Sequence, residues 1–403
     1  MAKLQTHNQF LILCLLGILS VVSPFAIDLY LAAFTKIAGD LGTNSAIVSL
    51  SVSAYFIGLA FGQLFYGPLL DRYGRKKPIY AGLSVFVLSS LGCAMTTNIE
   101  LLIALRLLQG LGGCVAQVGA VTMVHDFFPV QQSAKIFSLL FLFIGASPLL
   151  APSIGSILVV TLGWRSIFVA MALLVIMIVT AIAFLLPEGH KPDPTISLKP
   201  GGIIRTFIGI FKNRDFKRYV LAGGFSFAGL FTYVAGAPII FMEEFHVSAK
   251  TFSFIFAGLA FGFIGGSQVN VALLRRYSSA KIFAFFLRAQ VVVAALFLIS
   301  LLTGMIALKG TLAFMFIFLC CTGISNPNGA ALALAPFTKN AGSASALLGM
   351  VQLGTGALVS TWIGIANSKS SLPIIGILFV TALIGALLHG FLPASHKGSD
   401  TEA

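Results

Sequence analysis

Two charged side chains stand where charge is expensive. Asp28 lies in Ser23-Pro24-Phe25-Ala26-Ile27-Asp28-Leu29-Tyr30-Leu31, and Arg106 in Leu105-Arg106-Leu107-Leu108-Gln109-Gly110-Leu111-Gly112. Both stretches are otherwise apolar, and an ionisable group inside such a run is a functional candidate by default. A solitary carboxylate there can take up and release one proton, or serve as a structural hydrogen-bond acceptor. A guanidinium at similar depth can control that exchange or extend outward to the polar boundary. A second charged cluster is Gly67-Pro68-Leu69-Leu70-Asp71-Arg72-Tyr73-Gly74-Arg75-Lys76-Lys77. Its single acid, Asp71, can accept charge-assisted hydrogen bonds from Arg75 or from a helix N-terminus. Gly67 and Gly74 would allow close packing and a tight turn, and Asp126 is a further acid able to join the cluster. The sequence offers no nucleophile–base set, phosphate-binding loop or metal-ligand cluster. The chemistry implied is binding and proton movement, so no enzyme activity and no cofactor are expected.

The elements that position these groups follow from composition. Of 403 residues, 58% are apolar and only 9% charged, against about 45–50% and 25% in soluble proteins. Mean hydropathy is +1.00. A soluble enzyme and a disordered chain are both excluded, and continuous apolar runs argue against a membrane β-barrel. A polytopic α-helical membrane protein remains. A span needs about 20 apolar residues, which gives twelve: 10–35, 44–66, 78–97, 100–124, 134–160, 164–186, 218–242, 250–274, 282–306, 309–334, 341–367 and 371–393. The start, with Lys3 as its one charge, reads as a retained first helix rather than a cleaved signal. The five cysteines fall inside apolar runs, so neither disulfides nor a zinc site is expected.

The connection 187–217 is charged and carries four prolines. It divides the chain into an N-terminal six-helix half, 1–186, and a C-terminal half, 218–403. Eighteen loop Lys and Arg fall on the side of the N-terminus and five on the other, which puts both termini in the cytoplasm. The net charge of +13 is thus assigned to topology, not to nucleic-acid binding. Phe56-Ile-Gly-Leu-Ala-Phe-Gly62 recurs as Phe256-Ala-Gly-Leu-Ala-Phe-Gly262, each copy in the second span of its half. Parallel repeats suggest a pseudo-twofold along the membrane normal, with a site between the halves.

The Gly67–Lys77 stretch resembles the most specific signature of the major facilitator superfamily, G-x-L-x-D-R-x-G-R-[KR]-[KR]. Arg106, Gln109 and Gly110 are similar to its R-x-x-Q-G motif. Gly145-Ala-Ser-Pro148-Leu-Leu-Ala-Pro152-Ser-Ile-Gly155-Ser156 resembles the family's antiporter motif, with Ala151 and Ser156 in place of two glycines. Ile27-Asp28-Leu29-Tyr30-Leu31, together with Gly223–Gly229, looks like the Bcr/CflA group of drug–proton antiporters, although Ala32 stands where the group has proline. The resemblance covers nearly the whole chain. It implies the major facilitator fold, a monomer in the bacterial inner membrane, and a cavity lined by the first and fourth helices.

On that reading Asp28 and Arg106, at about 12 and 9 Å from the same membrane face by helical rise, form an ion pair or water-bridged pair that couples to protons. Gly67, Asp71, Arg72, Gly74, Arg75 and Asp126 form a cytoplasmic gate that clasps the halves, while Gly145, Pro148, Pro152 and Gly155 shape the fifth helix. In the second half Arg275 and Ser278 replace Asp71 and Gly74, so the clasp is one-sided. Weaker candidates for orienting substrate are Tyr30, Tyr55, Gln117, Phe231, Asn328 and Gln352. The expected activity is export of amphiphilic or neutral drug-like molecules driven by the proton gradient. The alternative is export or proton symport of a small metabolite of the amino-acid or siderophore type.

Overall fold

The computed structural model describes residues 6–128, 130–189, 192–194, 200–337, 341–366 and 370–392. Among them there are helices and no strands. In chain order the helices are α1 (Thr6–Leu31), α2 (Phe34–Asp40), α3 (Ser45–Tyr73), α4 (Lys76–Met95), α5 (Ile99–Phe127), α6 (Val130–Leu162), α7 (Arg165–Leu185) and α8 (Pro200–Lys212). They continue with α9 (Arg214–Pro238), a π-helical turn (Ile239–Glu244), α10 (Ala249–Leu273), α11 (Ser279–Leu302), α12 (Leu308–Leu334), α13 (Ala341–Ala366) and α14 (Ser371–Phe391). Twelve of the described helices are long and apolar enough to cross a membrane. Apart from their ends they match the twelve spans read from hydropathy.

Local chemistry sets several of those ends. The side chains of Asn44, Asn98 and Ser370 accept hydrogen bonds from backbone N–H groups in the first turns of α3, α5 and α14, as N-caps do. Gly74 ends α3 at φ +83°, a conformation open to glycine. Three readings need correction. The first span ends at Leu31, not 35: a two-residue turn separates it from α2, so a depth for Asp28 counted along an unbroken helix from Lys36 does not hold. Gly67, Asp71 and Arg72 are helical residues of α3 and not loop residues, because the helix runs two turns past the apolar segment. The seventh span, read as 218–242, starts at Arg214 and runs through the π-helical turn to Glu244.

The chain forms two compact units, Met1–Leu198 with Ala237–Ala257, and Lys199–Gly236 with Gly258–Ala403. In the first, α5 packs on α3, α4 and α1, while α1 also packs on α6 and α7. The α3–α5 contact is backbone to backbone. A Cβ on Gly58 would collide with the Leu107 carbonyl oxygen, and one on Gly110 with the Tyr55 carbonyl oxygen. Glycine at the end of Arg106-x-x-Gln109-Gly110 therefore has a packing reason: it lets the helices approach until the intervening side chains reach across.

In the second unit α11 packs on α12 and α14, and α8 on α13. A Cβ on Gly323 would collide with the Phe263 carbonyl, and one on Gly266 with that of Cys320. Both units thus contain glycine-mediated backbone contacts between helices. The repeat is inexact at this level, since a Cβ on Gly258, the counterpart of Gly58, would have nothing within 4 Å.

Gly110→Val should force α3 and α5 apart. Overpacking costs roughly 1–3 kcal/mol, and a carbonyl on a packed helix cannot step aside. The thermal unfolding midpoint of the purified protein in detergent should fall for Gly110→Val and hold for Gly258→Ala. Equal midpoints would show that the close contact contributes nothing.

Candidate functional site

Arg106 sits two turns into α5 and is 0% exposed. Its guanidinium carbon lies 4.6 Å from the ring centroid of Tyr30 on α1 and 4.3 Å from that of Tyr55 on α3. Two ring faces present negative quadrupole to the cation, worth up to roughly 2 kcal/mol each when desolvated. The Arg106 Nη1 donates to Gln109 Oε1 at 2.5 Å and to the Ala26 carbonyl at 3.4 Å. Gln109 Nε2 donates in turn to Ser90 Oγ at 2.6 Å. The Tyr30 hydroxyl shares a 2.8 Å hydrogen bond with Ser51. The Arg106 Nε and Nη2 atoms have no hydrogen-bond partner among the described residues. A cation is thus held at the junction of three helices by rings and amides, without a carboxylate.

Asp28 is 7% exposed and points elsewhere. Its Oδ2 accepts a 2.7 Å hydrogen bond from Ser147 on α6. Further along the contact, a Cβ on Gly155 would collide with the Leu29 carbonyl, so α6 lies directly against the segment carrying the acid. The structure does not bring Asp28 and Arg106 together as an ion pair. Arg75–Asp71, Arg75–Asp126 and Arg165–Asp40 do form ion pairs. Helical geometry gives the reason. Ala26 and Tyr30, which touch Arg106, are one turn apart, and Asp28 between them is rotated about 200° from either.

The second cluster assembles around Arg75. Its Nη1 donates to Asp71 Oδ1 at 2.6 Å, its Nε to Asp126 Oδ2 at 2.7 Å and its Nη2 to Asp126 Oδ1 at 3.2 Å. Burial alone would lower the Arg75 pKa; the hydrogen bonds and charges of Asp126 and Asp71 outweigh it and hold the group above its ordinary value. Glu188 Oε1 accepts from the backbone N–H groups of Arg75 and Lys76 at 2.5 and 3.3 Å, placing an acid at the N-terminus of α4. Arg72 lies with its guanidinium carbon 5.8 Å from the Tyr73 ring centroid. A Cβ on Gly67 would have nothing within 4 Å, so the expected close approach there is absent among the described residues. Asp71, Asp126 and Glu188, the acids that meet Arg75, all belong to the first unit.

The remaining candidates divide. Pro148 and Pro152 lie inside an unbroken α6, with Gly145 one turn before Pro148, and the Pro152 carbonyl accepts from Ser253 Oγ at 2.8 Å. Tyr30 and Tyr55, expected as substrate contacts, are fully buried against Arg106. Asn328 is buried and donates to Asn270 Oδ1 and the Ile324 carbonyl, so it ties α12 to α10. Gln352 donates to Asn326 at 2.8 Å. Phe231 stands edge-on to Phe227 and fills the space beside Gly356. Gln117 is half-buried.

Sequence reasoning missed Ser147 and Glu188. Ser147 was within reach, one residue before Pro148 in the antiporter-like motif, but hydroxyls in membrane helices usually bond their own backbone. No group of three or more His, Cys, Asp or Glu among the described residues could hold a metal ion.

Twelve apolar helices, a buried charge centre and a charged turn between α3 and α4 define a multi-pass transporter, and the chain belongs to the major facilitator superfamily, which it matches over residues 16–361. It is 35% identical to the MFS-type transporter YdgK of Bacillus subtilis over 96% of both chains. It is 28% identical to a bicyclomycin resistance protein homolog of Haemophilus influenzae, covering 98% of this chain and 99% of that one. To the multidrug resistance protein MdtL of Escherichia coli it is 29% identical over 93% of both. The crystal structure of a D-xylose–proton symporter superposes with a TM-score of 0.75 at 13% identity, over 97% of this chain and 99% of that one. At that identity the likeness concerns the fold alone. These are transporters and not enzymes, and the match to the Bcr/CflA-type drug transporters suggested by the motifs stands.

Three substitutions probe the charge centres. Arg106→Lys keeps the charge but not the planar guanidinium that stacks between rings, so it should lower the thermal midpoint markedly; an unaltered midpoint would remove the stacking argument. Asp126, at 11% side-chain exposure, should matter more to stability than Asp71, at 46%. Asp126→Asn should cost about 3 kcal/mol and Asp71→Asn under about 1 kcal/mol, read by thermal unfolding. The reverse order would show that Arg75 depends on its exposed partner.

Proposed function

We propose that this chain is a proton-coupled exporter of amphiphilic or neutral drug-like small molecules, working by alternating access as a monomer in a bacterial inner membrane with both termini in the cytoplasm. Asp28 is the exchanged acid. The observation that carries this reading is its position: an almost fully buried carboxylate, bonded to Ser147 on the helix that bears the antiporter-like motif. The drug-resistance names of two relatives support the substrate class.

In this mechanism proton and drug need not touch. Each favours a different conformation, and coupling is the difference in its affinity for the two. Protonation of Asp28 changes what Ser147 meets, from a charged acceptor to a neutral acid. That changes the contact between α1 and α6. Arg106 keeps a permanent positive charge on the other side of α1. The Asp71–Arg75–Asp126 cluster acts as the cytoplasmic gate, holding the ends of α3 and α5 in one arrangement until the transition. Few charges in the spans suit uncharged or lipophilic cargo.

Asp28→Asn should abolish proton-driven efflux while the protein still reaches the membrane. Resistance of an efflux-deficient bacterium should drop to that of cells lacking the transporter, and Asp28→Glu should restore part of it. Inside-out vesicles with an imposed pH gradient test direction: an exporter of this kind releases lumenal protons when substrate is added. Full pH-dependent efflux by Asp28→Asn would overturn the assignment.

A further inference from the structure

The charged connection between α7 and α9 contains a helix that hydropathy alone does not reveal. In α8 the buried residue Ile210, with Phe207 and Phe211, packs into a cluster with Phe216, Val220, Ala333, Ala344, Leu347 and Leu348. Helix α9 starts directly after α8. Asn213 accepts the Phe216 N–H through its side chain and separates the two helices by one residue. The corner is pinned at the base of a membrane span, so α8 lies at the level where that span leaves the bilayer.

The rest of the α8 surface is graded. Beside the packed face come Ile204 and Ile208, one turn apart and 55% and 51% exposed. Next around the helix are Lys212 and Arg205, both exposed. Furthest round are Gly209, Gly202 and Thr206, also exposed. The order is packed apolar, bare apolar, basic, then small and neutral. Two bare isoleucines one turn apart on a helix facing water would be a liability. Sunk to the headgroup–acyl boundary, with basic groups at their shoulder, they match an interfacial helix. Arg214, exposed at the start of α9, adds to the positive edge, and Asp215 beside it offsets one charge.

We propose that α8 docks on the bilayer leaflet nearest the linker, with Ile204 and Ile208 among the upper acyl chains and Arg205 and Lys212 on anionic phospholipid phosphates. The bilayer is favoured over a protein partner because the bare apolar strip, among the described residues, is only two residues long and continuous with a span. The basic residues stand where headgroups would be. The linker thereby reads the charge of the lipid surface and transmits it to α13, against which α8 packs.

The test uses full-length protein carrying Ile208→Cys, labelled with an environment-sensitive nitrobenzoxadiazole probe. Labelled parent protein serves as blank for Cys14 and Cys320. Reconstitution is into phosphatidylethanolamine vesicles with or without phosphatidylglycerol. A shallow nitroxide lipid should quench the probe several-fold more than aqueous iodide, and phosphatidylglycerol should strengthen that quenching. Thr206→Cys, on the opposite side, should show the reverse preference. Arg205→Gln with Lys212→Gln should remove the phosphatidylglycerol increment while leaving the thermal midpoint unchanged. Iodide-dominated quenching at 208, equal lipid quenching with and without phosphatidylglycerol, or shielding from both quenchers by a second copy would each overturn the proposal.

Discussion

A guanidinium without a carboxylate, deep among helices, is the constraint that organises the first unit. Arg106 must be compensated or the helices could not close around it. The compensation comes from three directions: Tyr30 on α1, Tyr55 on α3, and Gln109 on its own helix. Each partner is held by something further. Ser51 fixes the Tyr30 hydroxyl, Ser90 fixes Gln109, and the Gly58–Gly110 contact brings α3 close enough for Tyr55 to reach. Removing the cation would leave two tyrosine faces and an amide arranged around nothing. The family's R-x-x-Q-G pattern is, in this chain, the local record of that arrangement.

The same centre keeps apart two side chains that sequence alone brings together. Asp28 and Arg106 are the conspicuous buried charges, and equal depth suggests that they meet. They belong to opposite sides of α1: one faces α6 through Ser147, the other faces α3 and α5. Any influence between them passes through the α1 backbone or through space. On the proposed reading, with Asp28 as the exchanged acid, α1 is the helix through which protonation would become motion.

The fold was legible because its determinants are one-dimensional. Apolar run length defines twelve spans, and Asn44, Asn98 and Gly74 mark ends by their own chemistry. The charged turn around Arg75 was legible for the same reason, since Asp71 and Arg75 are one turn apart on one stretch of chain. What escaped depends on rotation about a helix or on contact between distant segments. Tyrosine chemistry makes Tyr30 a plausible substrate contact; its ring in fact lies on Arg106. Ser147 and Glu188 are ordinary residues whose importance comes from partners 119 and 113 positions away. The α8 helix escaped because three glycines and two basic residues interrupt its apolar pattern and its 13 residues are too few to read as a span.

Backbone contact between α3 and α5 has a mechanical consequence. Carbonyl groups set against glycines leave no soft side-chain layer to absorb shear, so the two helices behave as one stiff strut. The strut has Arg75 and Asp126 at one end and the Tyr55–Arg106 stack toward the other. A tug on the first is delivered to the second with little loss, and the distance between them serves as a lever arm instead of a gap that a signal must cross.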